Sequence, residues 1–301
     1  MLSDTLRHTL DKLIEPYNRD GVIFLAGALD DNTMRQAQSC FEWSLQHPTT
    51  SACTFYDDKE AEFYQDLCHP RGAHAYRQLL EESPVADIVG HLWGSEHVWF
   101  LYEQVFLKKG METRRTPWHQ DTSYLALEGV NVATVWMCFD PVEAGDSLEF
   151  VRGSHRQTLY NGSAFDPDDD TAPIYPDGLP RLPDIEADRS QWDIVSYDIS
   201  PGDIVIFHPS TLHGGAATKP GVQRRTLSLR FFGDDAVYAK RPGQAPAPLV
   251  AGLHDTLSPG QSFRHPAFPQ LRPSSLGFDD IPEVETPAYT LKGKISGRES
   301  T

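Results

Sequence analysis

The chain has few basic side chains and few cysteines. Its 301 residues include 26 lysines and arginines against 43 aspartates and glutamates, so the formal net charge is −17. A charge of this sign repels phosphate groups, which argues against nucleic-acid binding and against anionic membrane surfaces. The cysteines lack the paired spacing of a zinc site and are predicted to be free thiols, as is typical of a reducing cytoplasm. They are Cys40, Cys53, Cys68 and Cys138.

Long hydrophobic runs are also missing. Hydrophobic residues make up 39% of the chain, and no apolar stretch approaches the ~20 residues that a bilayer span requires. The first sixteen residues lack the basic and then apolar pattern of a secretory leader and instead predict an amphipathic helix. We therefore expect a soluble, cytoplasmic protein with one catalytic domain over residues 1–301. Nothing in the sequence indicates the oligomeric state.

The chain does contain many short apolar runs separated by glycine and proline. This pattern predicts a mainly β protein with flanking helices, in which the core is a double-stranded β-helix, or jelly roll, of the cupin type. Helices are predicted near residues 4–17, 31–46 and 84–93. Strands are predicted at residues 98–107, 132–140, 147–151, 194–198, 204–207 and 225–232. We expect N-terminal helices over residues 1–95, the jelly-roll core over 96–235 and a wrapping segment over 236–301.

Two histidines and one aspartate form a candidate metal site. His119 and Asp121 lie two residues apart on a predicted extended segment, so their side chains project from the same face. His213 follows a short apolar strand far downstream, although His208 on the same segment remains an alternative. Two imidazoles and one carboxylate are the ligand set of non-haem Fe(II) oxygenases, and they leave three positions for a co-substrate and oxygen.

An arginine pair follows the second histidine on a predicted strand. A planar guanidinium binds a carboxylate through two parallel hydrogen bonds, so an arginine one strand from His213 suits a dicarboxylic co-substrate. Strand parity places Arg225 on the more apolar face, with Leu227 and Leu229. Arg224 shares the polar face with residues such as Arg230. Both arginines therefore stay open as the anchor.

The order of these motifs resembles the phytanoyl-CoA dioxygenase family of Fe(II)/2-oxoglutarate oxygenases. The match includes the opening segment Asn18 to Ile23 and covers the chain from about Leu10 to Phe232. The ordered motifs are His119-x-Asp121, Ser-Leu-Glu-Phe-Val-Arg-Gly-Ser-His at residues 147–155, Pro201-Gly202-Asp203, His213 and Arg224. This chain departs from the family pattern at residues 216–220, where relatives often carry an asparagine and it reads Ala-Ala-Thr-Lys-Pro.

The resemblance implies roles for individual residues. His119, Asp121 and His213 would bind Fe(II) as the catalytic centre. Arg224 would hold the distal carboxylate of 2-oxoglutarate, because its separation from the second histidine, 224 − 213 = 11, is usual in the family. Gln104 and Trp136 match positions that flank the co-substrate. Gln120, between two ligands, is a candidate for substrate contact.

The resemblance also implies a reaction. The protein would use O2 and 2-oxoglutarate to hydroxylate, or otherwise oxidise, an unactivated C–H bond of a small-molecule substrate, with release of succinate and CO2. Halogenation is not expected, because Asp121 fills the position where halogenating relatives carry a small residue. The alternative is a cupin-type metal enzyme that does not use 2-oxoglutarate, such as an isomerase or a direct dioxygenase. Such an enzyme would not need Arg224.

Two further segments are notable. The polar stretch at residues 161–191 is too long for an ordinary connection, so it is either a lid over the site or an acidic insertion. A basic cluster lies just before the candidate metal ligands and is either a solvated turn or an electrostatic guide for an anionic substrate or for 2-oxoglutarate itself. Its members are Lys108, Lys109, Arg114 and Arg115.

Overall fold

A computed structural model describes residues 2–55, 61–111, 113–243 and 245–282, and these ranges contain seven α helices and fourteen strands. The helices are α1 (Asp4–Asp11), α2 (Ile14–Asp20), α3 (Asp31–Gln46), α4 (Gly72–Ala75), α5 (Arg77–Glu82), α6 (Val85–Trp93) and α7 (Leu253–Thr256). The strands are β1 (Val22–Leu25), β2 (Cys53–Phe55), β3 (Ala61–Leu67), β4 (Val98–Gly110), β5 (Thr116–His119), β6 (Leu127–Glu128), β7 (Val132–Cys138), β8 (Leu148–Val151), β9 (Ile194–Ser196), β10 (Ile204–Phe207), β11 (His213–Gly215), β12 (Arg224–Phe232), β13 (Val237–Tyr238) and β14 (Gln270–Arg272).

Two antiparallel sheets form the core and confirm the predicted jelly roll. The larger sheet has the strand order β1-β10-β7-β12-β4-β3-β2, with β14 also pairing with β4, and the smaller has the order β5-β11-β8-β9. Side chains from both sheets meet in one buried cluster, which includes Trp136 and Phe207 from the larger sheet and Phe150 from the smaller. Aromatic and aliphatic side chains therefore hold the two sheets together.

The helices before β4 cover the outer face of the larger sheet. Leu10 of α1, Phe41 of α3 and Ile88 of α6 share a buried cluster with Val135 of β7 and Leu229 of β12. Complete burial of one such side chain contributes roughly 1.5–3 kcal/mol. These helices therefore fix the outer face of the strands whose inner face lines the cavity described below.

The predicted helix near residues 4–17 is divided into α1 and α2. A continuous helix would place Pro16 in its interior, where proline cannot donate the backbone hydrogen bond. The break at Lys12 and Leu13 instead puts Pro16 in the first turn of α2, where an amide hydrogen has no helical partner. The second predicted helix is found with the same bounds, and the side chain of Asp30 caps it by accepting a hydrogen bond from the Thr33 amide at 2.8 Å.

The region before residue 96 supplies strands as well as helices, which corrects the expectation of helices alone. β1 pairs with β10, and β3 pairs with β4, so this region extends the larger sheet at both edges. The region after residue 235 contributes β14 to the same sheet, and its last nineteen residues, 283–301, lie outside the described part. The division into regions of one domain stays a prediction.

Two predictions made from composition can be compared with the structure. All four cysteines are free thiols, as predicted. Within the described ranges, no helix is long and apolar enough to cross a membrane.

Candidate active site

Strand pairing brings the three predicted metal ligands together. β11 runs antiparallel to β5, and His213 lies directly opposite His119 in the register. Oδ1 of Asp121 lies 3.5 Å from Nε2 of His119 and 3.8 Å from Nε2 of His213. One donor atom from each residue lies within 4.8 Å of the other two, and all three side chains are buried. Such a cluster can hold a single ion.

Asp121 lies outside the strand on which it was predicted. β5 ends at His119, and Asp121 begins a short 3₁₀ helix that extends to Tyr124. Gln120 between them is still extended, with φ −119° and ψ 122°. The side chains of His119 and Asp121 therefore project to the same side, as the spacing of two residues predicts.

Both histidines are oriented by backbone carbonyl groups. Nδ1 of His119 lies 2.8 Å from the Pro117 oxygen, and Nδ1 of His213 lies 2.9 Å from the Thr211 oxygen. A carbonyl accepts only, so each Nδ1 carries the proton and each Nε2 offers a lone pair to a metal. Burial, followed by the neighbouring His119, lowers the pKa of His213 to about 3, which keeps this imidazole neutral.

Arg230 of β12 holds the aspartate of the cluster. Its Nη2 donates to Oδ2 of Asp121 at 2.9 Å and to Oε1 of Gln104 at 2.7 Å. Burial alone would raise the pKa of Asp121. The positive charge of Arg230 and a hydrogen bond with His119 outweigh burial and hold this pKa well below its usual range. Two imidazoles and an ionised carboxylate fit a divalent iron ion.

The cluster opens on a cavity of about 240 Å³ between the two sheets. Gln104, Trp136 and Arg224, to which the family resemblance assigns roles in binding the co-substrate, all line this cavity. Ser228 of β12 lies between the first two, opposite Gln104 on one side and Trp136 on the other. These side chains therefore form one row across the inner face of the larger sheet.

The structure distinguishes the two candidate arginines by position. Arg224 is buried on the inner face of β12, where its Nη1 donates to the backbone oxygen of Asp146. Arg225 points to the outer face and pairs with Asp140, with 2.8 Å between Nη2 and Oδ1. Only Arg224 of the two lines the cavity. Strand parity places Arg224 on the polar face of β12, and this face is the inner one.

Gln120 does not line the cavity, contrary to the expectation of substrate contact. Its Nε2 donates to the carbonyl groups of Ser210 at 2.7 Å and Thr158 at 3.2 Å, and its Oε1 accepts from the Tyr160 amide at 2.8 Å. The side chain is 1% exposed. The hydrogen bonds of Gln120 therefore join its own segment to two others, one at residues 158–160 and one at Ser210.

His208 lies outside the cluster of metal ligands. Its Nε2 is 3.0 Å from the backbone oxygen of Gly129, and its Nδ1 accepts from the Ser210 amide at 3.0 Å. These contacts occupy both ring nitrogens of His208. Among the described residues, His213 rather than His208 joins His119 and Asp121 in the metal-binding cluster.

The long segment at residues 161–191 reaches over the metal ligands. The ring centroid of Phe165 lies 5.7 Å from that of His119 and 6.3 Å from that of Tyr124. Arg114 holds this segment through Asp170 and the Pro167 carbonyl group, each at 2.6 Å. The position supports the lid interpretation, since an aromatic side chain from this segment closes one wall of the cavity.

The members of the basic cluster have different surroundings. Lys109 pairs with Glu62 at the surface, Arg115 pairs with Glu149 at 2.9 Å, and Arg114 holds the segment described above. Lys108 is instead 1% exposed and lines the cavity. Neither a solvated turn nor a surface guide describes all four side chains.

Sequence reasoning did not assign Arg230, Lys108 or Phe165 to the site. A signal for Arg230 was present, because strand parity puts it on the same face as Arg224. Lys108 is likewise an even number of residues from Gln104 on β4, so it faces the same cavity. Phe165 lies in a segment without periodicity, and no local pattern places its ring against His119.

Comparison with known proteins agrees with this geometry. The family model described as phytanoyl-CoA dioxygenase (PhyH) matches residues 17–226. The chain belongs to the phytanoyl-CoA dioxygenase family. A Caenorhabditis elegans member of the curated proteins, described as a probable phytanoyl-CoA dioxygenase, is 24% identical over 159 residues, which cover 50% of this chain and 48% of that protein. The chain thus spans about half the length of the curated relative.

Solved structures similar to this family member share its fold at low identity. The epimerase SnoN in complex with Fe3+, alpha ketoglutarate and nogalamycin RO has a TM-score of 0.67 and 20% identity, with 88% of this chain and 99% of that chain covered. The carbocyclase SnoK from nogalamycin biosynthesis has a TM-score of 0.65 and 19% identity, with 90% and 96% covered. EctD from S. alaskensis with 2-oxoglutarate and 5-hydroxyectoine has a TM-score of 0.59 and 17% identity, with 88% and 86% covered.

Proposed function

We propose that the protein is an Fe(II)- and 2-oxoglutarate-dependent oxygenase that hydroxylates a C–H bond of a small-molecule substrate. The observation that carries the proposal is the buried cluster of His119, Asp121 and His213 in a cavity that also contains Arg224. Membership of the phytanoyl-CoA dioxygenase family supports it, as do similar folds crystallised with iron or 2-oxoglutarate.

In this proposal, three atoms of the chain hold the iron. These are Nε2 of His119, Nε2 of His213 and Oδ1 of Asp121, whose tautomers and ionisation are fixed by the contacts described above. The bound iron supplies the chemistry of oxygen activation, with electrons from the oxidative decarboxylation of 2-oxoglutarate to succinate and CO2. A facial set of three protein ligands leaves three positions for the co-substrate and oxygen.

The remaining lining residues bind and orient the reactants. The guanidinium of Arg224 suits the distal carboxylate of 2-oxoglutarate, because it is buried on the cavity wall and is always charged. Trp136 and Gln104 lie on the two strands that pair with β12 and would flank the co-substrate. Phe165 covers the metal ligands and limits the access of water to them.

Hydroxylation is proposed over the other outcomes of this chemistry. Asp121 fills the carboxylate position of the ligand set, which argues against halogenation. The similar structures include an epimerase and a carbocyclase, so the fold itself does not decide between hydroxylation and other oxidations. Analysis of the product by mass spectrometry tests this part: a gain of one oxygen atom is expected, whereas a loss of two hydrogens or an unchanged mass would contradict hydroxylation.

One experiment distinguishes the proposed function from the alternative, a cupin-type enzyme that does not use 2-oxoglutarate. Purified protein is supplied with Fe(II), 2-oxoglutarate and O2, candidate substrates are screened, and succinate is measured. We expect succinate to form with the wild type and to fall at least tenfold in Arg224→Met, whereas Arg225→Met, on the opposite face of β12, should retain it. If oxidation or isomerisation of substrate proceeds without 2-oxoglutarate, or if Arg224→Met makes succinate normally, the proposal is wrong.

A further inference from the structure

We propose that Phe165 determines which substrates reach the metal cluster, because its ring limits the space beside that cluster to a narrow, apolar segment. The inference rests on the proposed function and adds to it the size and chemistry of the substrate. Phe165 lies in the segment at residues 161–191, and its side chain lines the cavity. Its ring centroid is 5.7 Å from that of His119. A substrate that approaches the metal cluster therefore meets this ring.

The backbone of Phe165 has an unusual conformation. Its φ angle is +54°, in the left-handed region that disfavours residues with a Cβ atom, and Cys68 is the other such residue in the described ranges. Hydrogen bonds hold this conformation. The Phe165 amide donates to Oγ of Ser163 at 3.0 Å, and the Ala164 amide donates to the Ala172 oxygen at 2.7 Å. Backbone strain beside a cavity indicates a functional constraint, which here is the direction of the ring.

Two tyrosines fix the base of this segment on the short 3₁₀ helix that carries a metal ligand. Oη of Tyr124 donates to the Ser163 oxygen at 2.9 Å, and Oη of Tyr175 donates to the Ser123 oxygen at 2.9 Å. Gly162 allows the first of these contacts, because a Cβ atom there would lie 2.5 Å from the Tyr124 ring. The phenylalanine ring is therefore held at a fixed position relative to the metal cluster.

The space beside this ring lies toward Arg230, at the other end of the cavity from Arg224. The separation of the two arginines on β12 corresponds to about 20 Å of extended strand. The charge of Arg230 is compensated by Asp121 at 2.9 Å, and its guanidinium lies 4.7 Å from the centre of the Tyr102 ring. The other walls here are uncharged and mostly apolar, and they include Leu67, Tyr124, Pro246 and Ala247. An apolar segment therefore gains most from burial in this space.

The size of the cavity also limits the substrate. Its volume of about 240 Å³ has to contain both the co-substrate and the part of the substrate that reaches the metal. Pockets that bind a single small molecule commonly have volumes of roughly 300–1,000 Å³. A bulky ring system therefore cannot enter beside the co-substrate while Phe165 keeps its position. Replacement of this ring by a smaller side chain should admit wider substrates.

The test uses two neutral probes of different width, benzyl alcohol and 2-naphthalenemethanol. The protein is loaded with Mn(II) and 2-oxoglutarate without oxygen, so that no turnover is needed. Mn(II) broadens the proton resonances of a probe that binds beside it, and Zn(II)-loaded protein is the diamagnetic reference. The wild type should bind the narrow probe at least about tenfold more tightly, because forcing an oversized group into a packed space costs binding free energy of this order. Phe165→Ala should abolish most of this preference.

Two further variants separate substrate selection from a structural role. Tyr160→Ala removes an aromatic ring that packs against a different apolar cluster and does not line the cavity, so this variant should keep the preference of the wild type. Phe165→Gly removes the ring and also the strain, because glycine adopts a positive φ readily. It should lose the preference and unfold at a temperature no lower than Phe165→Ala does. Failure of both Phe165 variants to fold would assign a structural role to the ring and overturn the inference.

A third probe tests the chemistry of the space, and the outcomes distinguish this inference from the proposed function. Benzoate is as narrow as benzyl alcohol but charged, so it should bind more weakly in an apolar space. Tighter binding of benzoate overturns the inference, as does a wild type that binds neither neutral probe or binds both equally well. The proposed function stands in these cases if the Mn(II)-loaded protein binds 2-oxoglutarate. If it does not, the proposed function fails together with the inference.

Discussion

Arg230 binds one oxygen of Asp121 and leaves the other facing the two histidines. The Nη2 atom lies 2.9 Å from Oδ2, while Oδ1 lies within 3.8 Å of Nε2 in both His119 and His213. One carboxylate oxygen is therefore directed by the protein and the other is available to a metal ion. Groups that orient metal ligands in this way commonly change metal affinity by 10–100-fold when they are removed.

Replacement of Arg230 by methionine should weaken metal binding. The change removes the hydrogen bond to Asp121 and the positive charge that holds the pKa of this carboxyl low. We expect the dissociation constant for Fe(II) or Co(II), measured by anaerobic titration, to rise about 10–100-fold. Arg225→Met is the control, because Arg225 lies on the opposite face of β12, and this variant should bind the metal as the wild type does. Equal affinity in Arg230→Met and the wild type would show that Asp121 is oriented without Arg230.

The ion pair between Arg114 and Asp170 should hold the segment at residues 161–191 in place over the site. Asp170→Asn removes one charge of this pair, in which both side chains are partly exposed. Pairs of this kind contribute about 0.2–1 kcal/mol, so the KM of a substrate should rise by about 1.4- to fivefold. The fraction of 2-oxoglutarate consumed without substrate oxidation should also rise, because water reaches the metal site more often.

Asp168→Asn provides a matched control for this prediction. Asp168 lies in the same segment, two residues earlier, and is exposed. Both variants are compared by substrate KM and by the ratio of succinate to oxidised product. If the two variants are affected to the same degree, the charge of the segment as a whole, rather than its attachment to Arg114, controls the site.

Sequence patterns predicted those parts of the site that depend on strand geometry. The distance of two residues places His119 and Asp121 on one side, and strand parity on β12 places Arg224 inside and Arg225 outside. The fold class followed from many short apolar runs, and these runs correspond to strands at the centre of the two sheets. Such features can be predicted locally, because they depend only on the alternation of side chains between the two faces of a strand.

Other parts of the site depend on tertiary pairing and could not be predicted locally. Lys108 and Arg224 become neighbours only because β4 and β12 pair in one particular register. β5 reads Thr-Pro-Trp-His and β11 reads His-Gly-Gly, so both are too short to show the apolar alternation of a strand, although their pairing places His213 opposite His119. Gln120 was expected to contact the substrate, but it does not line the cavity, because a residue between two ligands on an extended segment projects away from them.

A buried glutamate on β4 should make the stability of the protein depend on pH. Glu103 is 3% exposed on the outer face of the larger sheet, where its Oε1 accepts from the His69 amide at 2.7 Å. Burial raises the pKa of Glu103 from 4.5 to about 8, and the negative charge of nearby Asp66 adds to this increase; together they outweigh the hydrogen bond from the His69 amide and the positive charge of Arg230, which lower it. Between these values the folded protein keeps a proton that the unfolded chain releases.

Stability should therefore fall as the pH rises from about 5 to 8. Glu103→Gln keeps an oxygen for the His69 amide but cannot ionise, so its free energy of unfolding should exceed that of the wild type at pH 8.5. The advantage should be on the order of a few kcal/mol and should shrink toward pH 5.5, where both forms of residue 103 are neutral when folded. Urea unfolding at pH 5.5, 7.0 and 8.5 measures it, with Glu96→Gln as the exposed control. Parallel pH profiles for Glu103→Gln and the wild type would mean that Glu103 is already ionised in the folded protein.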